Sequence, residues 1–189
     1  MTEERLRRFA ALVEKWSAKI NLVSKADIPH LWTRHVEDSL ALVQHIPPGT
    51  ETAIDLGTGA GFPGLVLAIA TGISFTLIES DKRKAAFLMD AAWELNAPAK
   101  VLAVRIEGAK IAPAPLITAR ALAPLPELLG LASPHLAPGG ICLFPKGKNW
   151  QIELTAAKAL WHMEAEPLPA QAETCILKVS HLRHVGHAG

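Results

Sequence analysis

The stretch AIDLGTGAGFPG, Ala53 to Gly64, sets an alternating glycine loop beside a carboxylate. Gly57, Gly59 and Gly61 let backbone N–H groups come close to a ligand, and Gly59-x-Gly61-x-x-Gly64 fits the dinucleotide fingerprint. Glu79 stands twenty residues after Gly59, where a carboxylate accepts from both hydroxyls of a ribose. Asp55 separates two ligands that share this layout. It repels a pyrophosphate but attracts the ammonium and sulfonium of S-adenosylmethionine, directly or through water. Two unit charges ~4 Å apart interact by about 4 kcal/mol at an effective dielectric of ~20. Desolvation removes part of that without changing its sign. The acid points to S-adenosylmethionine.

The residues after the fourth expected strand narrow the methyl acceptor. An exocyclic base amine calls for an Asn/Asp-Pro-Pro-aromatic motif there, whereas the sequence has TARALAP, Thr118 to Pro124, and no tyrosine at all. Cytosine carbon needs a cysteine nucleophile; neither Cys142 nor Cys175 lies in that loop. A hydroxyl needs a general base, and no histidine falls between His45 and His135. A purine ring nitrogen such as guanine N7 already carries a free lone pair, so alignment suffices. Arg105, Arg120 and Lys146, all near strand ends, supply donors for guanine O6 and flanking phosphates and are the candidate catalytic residues. The histidines His181, His184 and His187 lack a completing acid or thiol, so no metal is expected.

The elements that position these residues follow from periodicity. Leu6, Phe9, Val13, Trp16 and Ile20 mark one helix face, and Asp27 offers an N-cap to a second helix ending at Pro47 and Pro48. These predict a helical N-terminal subdomain over 1–50. Residues 51–189 read as a Rossmann-like α/β domain: TAIDLG, SFTLIES, KVLAVRIE, PLITARAL and GGICLFPKG alternate with helices as a mostly parallel sheet. WHMEAEPLP and ETCILKVSHL then predict a C-terminal antiparallel hairpin at the sheet edge. The tryptophans, Trp93, Trp150 and Trp161 among them, are expected in core or subdomain contacts.

At 189 residues and a net charge of +1, the chain suits one domain with a small appendage, and any positive surface is local. Two cysteines make no disulfide framework. The charged, amphipathic start is unlike a signal peptide, and the apolar runs are too short to span a bilayer. A cytoplasmic monomer with no membrane partner is expected. The rivals to an enzyme of this kind are an NAD-dependent oxidoreductase and a non-catalytic cofactor- or RNA-binding module.

WSAKINLVS, RHVEDSL, DLGTGAGFPG, TLIESDKRKAAFL, VRIEG, ITARALAPL and PKG, spread from about Trp16 to Lys178, carry a specific likeness. The chain resembles the bacterial small-subunit rRNA guanine-N7 methyltransferases of the glucose-inhibited division protein B family. The resemblance implies a class I S-adenosylmethionine-dependent methyltransferase fold and 7-methylguanosine as product, in the 530 loop of 16S rRNA in the small ribosomal subunit or its assembly intermediate. It also implies that Gly57 and Phe62 belong to the cofactor loop, that Ile106 and Glu107 flank the adenine, and that Arg120 lies beside cofactor and target. Arg105 and Lys146 match basic positions facing the RNA. Arg34, His35 and Asp38 match the N-terminal motif: Arg34 is a candidate RNA contact that also pairs with Asp38, and His35 is a helix–helix contact.

Overall fold

The computed structural model describes residues 2–170 and 174–186. Seven strands form one sheet in the order β3-β2-β1-β4-β5-β7-β6. β1 (Thr52–Leu56), β2 (Ser74–Ile78), β3 (Ala99–Leu102), β4 (Ala114–Thr118) and β5 (Leu136–Lys146) run parallel. β7 (Cys175–His184) pairs antiparallel with both β5 and β6 (Trp161–Pro169), so the expected hairpin inserts its second strand against β5. Two strands are shorter than read: β3 stops at Leu102 and β4 at Thr118, which releases the residues carrying Arg105 and Arg120 as loops.

Side chains alternate across the sheet. Ala53, Leu77, Leu116 and Leu143 face α1 (Thr2–Ser17), α3 (Gly64–Thr71) and α4 (Lys82–Glu94). Ile54, Ile78, Ile117 and Phe144 face α5 (Leu125–Ala132) and α6 (Trp150–Lys158), the latter a helix the sequence reading lacked. Asp81 caps α4, its carboxylate accepting from the N–H groups of Arg83 and Lys84. Arg5 on α1 reaches the other end of α4, donating to the carbonyls of Leu95 at 2.9 Å and Asn96 at 2.7 Å. Leu6, Phe9 and Val13 of the N-terminal segment share one hydrophobic cluster with α3 and α4.

The expected second helix breaks up. Ile28–His30 and Val43–His45 are 3₁₀ turns, Trp32–Glu37 is a π-helical turn, and only Asp38–Leu40 (α2) is α-helical. Asp27 makes no side-chain cap bond because its carboxylate accepts from the Ser24 hydroxyl and pairs with Arg34 at 2.9 Å. Trp93 corrects a second expectation, being 85% exposed. No described helix is long and apolar enough to cross a membrane. His181 pairs with Glu164 and His184 meets the Trp161 ring edge-on, while His187 lies outside the described residues. Among those residues no His/Cys/Asp/Glu group could hold a metal.

Candidate active site

Strand order reverses between β1 and β4, and a doubly wound sheet binds ligands outside the carboxyl ends of its strands at that point. A cleft of about 480 Å³ opens there. Gly57, Gly59 and Phe62 border it after β1, Glu79 after β2, Arg105, Ile106 and Glu107 after β3, and Arg120 after β4. Most of the cofactor residues expected from sequence therefore meet. Gly57 and Gly59 have φ of 59° and 60°, a left-handed conformation that other residues adopt at a cost. Gly61, at φ 99°, instead lies where Phe9, Leu65 and Leu88 close in behind the loop. Ile106 is buried, Arg105 and Glu107 are exposed, and no ion pair joins those last two among the described residues.

Glu79 ties the loop together. Its Oε2 accepts from the Gly59 N–H at 2.9 Å and its Oε1 from the Asp81 N–H at 2.8 Å. A carboxylate has about four lone-pair sites, so each oxygen keeps one for a hydroxyl in the cleft.

Asp55 is not at the loop's mouth. It is fully buried beneath the loop, where Oδ2 accepts from the Gly64 N–H at 3.0 Å and Oδ1 from the Thr118 hydroxyl at 2.6 Å. The N-cap residue of α3, Pro63, makes no side-chain cap bond. A carboxylate from β1 does that work across the layer boundary, favoured by the dipole of the helix. Burial pushes the carboxyl up to about 6, against the pull of the Thr118 hydroxyl and the Gly64 amide. The direct or water-bridged contact with a ligand cation expected from sequence is thus replaced by a structural one. The Gly64 N–H at the helix N-terminus, where a pyrophosphate would sit, is thereby occupied by a carboxylate.

His35 is a border residue of this cleft rather than a mere packing contact. Its Nδ1 meets an Arg120 guanidinium nitrogen, and its ring lies 5.0 Å from that of Phe62. Arg120 stands 5.4 Å over the same Phe62 ring and donates to the carbonyl of Arg34 at 2.9 Å. Burial pushes the imidazole down to about 4, with the Arg120 charge adding to the effect. Arginine only donates, so Nδ1 accepts and Nε2 carries the proton; Nε2 is buried without a hydrogen-bond partner among the described residues. The π-helical turn provides this placement, a distortion common at functional sites. It also redirects the expected ion pair. Arg34 binds Asp27, leaving Asp38 4.0 Å from Arg120, and the Arg34 side chain is 63% exposed.

A second cavity of about 580 Å³ shares Arg120–Ala123 with the cleft as a border. Lys146 borders this one and not the cleft. It is no free surface cation. Only 9% of its side chain is exposed; Nζ donates to the Ala123 carbonyl at 3.1 Å and pairs with Glu153 Oε2 at 2.6 Å. Glu153, from α6, went unnoticed in sequence because the helix WQIELTAAK itself did. Cys175 is also in the wall, its thiol pushed by burial up to about 11, a poor nucleophile.

A family model described as rRNA small subunit methyltransferase G matches residues 2–178. The chain is 55% identical over 183 residues to a ribosomal RNA small subunit methyltransferase G of Acidiphilium cryptum, covering 94% of this chain and 84% of that one. It is 54% identical over 186 residues to the protein of that name from Gluconobacter oxydans, covering 97% and 96%. Among solved structures, it superposes on a T. thermophilus 16S rRNA N2 methyltransferase in complex with AdoMet and guanosine with a TM-score of 0.58. That match has 16% identity and covers 76% of this chain and 38% of the other. The N-methyltransferase NodS of Bradyrhizobium japonicum, in complex with S-adenosyl-L-homocysteine, gives 0.59 at 15% identity, covering 87% and 94%. At such identities the structures share the fold alone: that of class I methyltransferases.

Proposed function

The chain belongs to the rRNA small subunit methyltransferase G family, and from that membership we propose that it methylates N7 of a guanine in the 530 loop of 16S rRNA. The substrate is the small ribosomal subunit or its assembly intermediate. The protein is an S-adenosylmethionine-dependent methyltransferase, and when bound the cofactor supplies an electrophilic methyl group on a sulfonium.

The observation that carries the reading is the division of labour between two acids. Asp55 occupies the α3 N-terminus, which leaves that end no free charge for a pyrophosphate. Glu79 keeps lone pairs beside the glycine loop for a ribose. Ile106 gives an adenine ring an apolar wall. Arg120, the cation shared by both cavities, offers itself to the carboxylate end of the cofactor. The His35 lone pair is committed to Arg120, so the one imidazole bordering the cleft among the described residues is no longer free to act as a base. An acceptor that needs no deprotonation suits such a site. Arg105 and Arg34, both exposed, remain candidate RNA contacts.

Small subunits purified from a strain lacking this protein, incubated with it and labelled S-adenosylmethionine, should yield labelled 7-methylguanosine on nucleoside digestion. No label, or label in another nucleoside, contradicts the reading. In calorimetry Glu79→Gln should weaken S-adenosylmethionine binding by about tenfold, the loss of a charged hydrogen-bond acceptor, and NAD should give no heat.

A further inference from the structure

The second cavity bordered by Arg120–Ala123 contains a donor–acceptor pair that the cleft does not use. Lys146 Nζ has three N–H groups. Two go to Ala123 O and Glu153 Oε2, which leaves one. Glu153 Oε2 also accepts from the Leu125 N–H at 2.8 Å. Oε1 has no partner among the described residues. A free ammonium N–H and a free carboxylate oxygen therefore border one cavity, whose lining also includes Arg120, Asp38, Ala123, Pro145 and Ile176.

Guanine presents the complement of that pair. Its Watson–Crick edge has the O6 acceptor next to the N1–H and N2–H₂ donors. Adenine reverses the order, placing an amine against the ammonium and a lone pair against the carboxylate. Enzymes that act on a base read a flipped-out base by that edge. The placement also fits. Lys146 on β5 and Glu153 on α6 border this cavity and not the cleft, and Arg120–Ala123 border both. N7 lies on the neighbouring Hoogsteen edge beside O6, so a base held by its Watson–Crick edge leaves the N7 lone pair unblocked. Ala121, at φ 51°, is a non-glycine residue in the left-handed region within that shared border, a strain that persists where surrounding structure demands it.

We infer that Lys146 and Glu153 together select guanine as the acceptor base, Lys146 donating to O6 and Glu153 Oε1 accepting from N1–H and N2–H₂. The inference rests on the acceptor proposed above and adds the residue that discriminates it, Glu153.

The test compares small subunits reconstituted from rRNA with guanosine or inosine at the methylated position, inosine lacking only the N2 amine. The wild-type protein should lose about tenfold or more in kcat/KM on inosine, as expected for one hydrogen bond to a charged acceptor. In Glu153→Gln the amide oxygen must take the place facing Leu125 N–H and Lys146, so its NH₂ meets the base edge as a donor. That variant should bind S-adenosylmethionine as the wild type does, while its preference for guanosine shrinks to within about twofold or inverts. Equal wild-type kcat/KM on both substrates overturns the inference and leaves the acceptor assignment standing; so does an undiminished preference in Glu153→Gln. No label in either substrate removes the acceptor assignment and this inference together. The wild-type comparison needs no variant, so misfolding of Glu153→Gln cannot shelter the idea.

Discussion

His35 shows how one side chain acquires a role through its surroundings. Buried beside a guanidinium, its imidazole is pushed from 6.5 down to about 4, so the native protein keeps it neutral where the unfolded chain protonates it. The unfolded state then binds more protons, and stability falls as the pH drops. The stability contributed by this group should be complete above about 6.5 and lost as the pH falls toward 4. The urea midpoint of the wild type minus that of His35→Gln should therefore rise with pH across that window; parallel curves would contradict the assignment. Asp55 works the opposite way. Its carboxyl is raised from 3.8 to about 6, so its contribution is present below 3.8 and fades as the pH rises through about 6. Both effects lie in one pH range, and only the variant separates them. Neither was legible in sequence. Asp55 was recognisable as the acid of the glycine loop, but whether it faced ligand or helix depended on how deep β1 lies.

At the scale of elements, the seating of α3 on β1 decides the loop. A Cβ on Gly64 would lie 2.5 Å from the Asp55 Cβ and 2.6 Å from its Oδ2. The Asp55 Cβ is fixed to a central strand and cannot yield, so α3 would have to lift. Gly64→Ala should destabilise by about 1–3 kcal/mol, the range of overpacked cores, and lower cofactor affinity with it. Gly108, with nothing within 4 Å of its Cβ position, is the control, and Gly108→Ala should stay within about 0.5 kcal/mol. Equal denaturation midpoints for the two variants would refute this packing account. The strands and hairpin were readable because alternation and apolar runs report directly on sheet burial. The N-terminal turns were not. Their pattern of Leu31, His35 and Val36 suits an α-helix, but Asp27 is drawn to Ser24 and Arg34 instead of capping one.

At the scale of the whole molecule, the N-terminal helix and the cofactor edge are one packing unit. Phe9 on α1 is fully buried, 5.3 Å from the Phe62 ring and behind Gly61. Phe62 in turn backs both His35 and Arg120. Phe9→Ala should cost about 3–5 kcal/mol by cavity formation and weaken S-adenosylmethionine binding at temperatures where the variant remains folded. Calorimetry on the folded variant checks the second effect; unchanged affinity would mean that α1 supports the fold without supporting the loop. The net charge of +1 leaves RNA engagement to local groups, and two of the cations nominated from sequence, Arg120 and Lys146, already hold internal partners and offer a ligand only their remaining N–H groups.

The sequence by itself determined the parallel sheet, the glycine loop after its first strand, the acid Glu79 after its second and the family, because helix and strand periods and short motifs are local. Tertiary structure alone decided which acid caps a helix, which imidazole meets Arg120 and which carboxylate holds Lys146. Asp55 meets Thr118 across 63 positions and His35 meets Arg120 across 85. Such pairings follow from strand order and from the depth at which each strand end is buried, and no spacing within the chain encodes either.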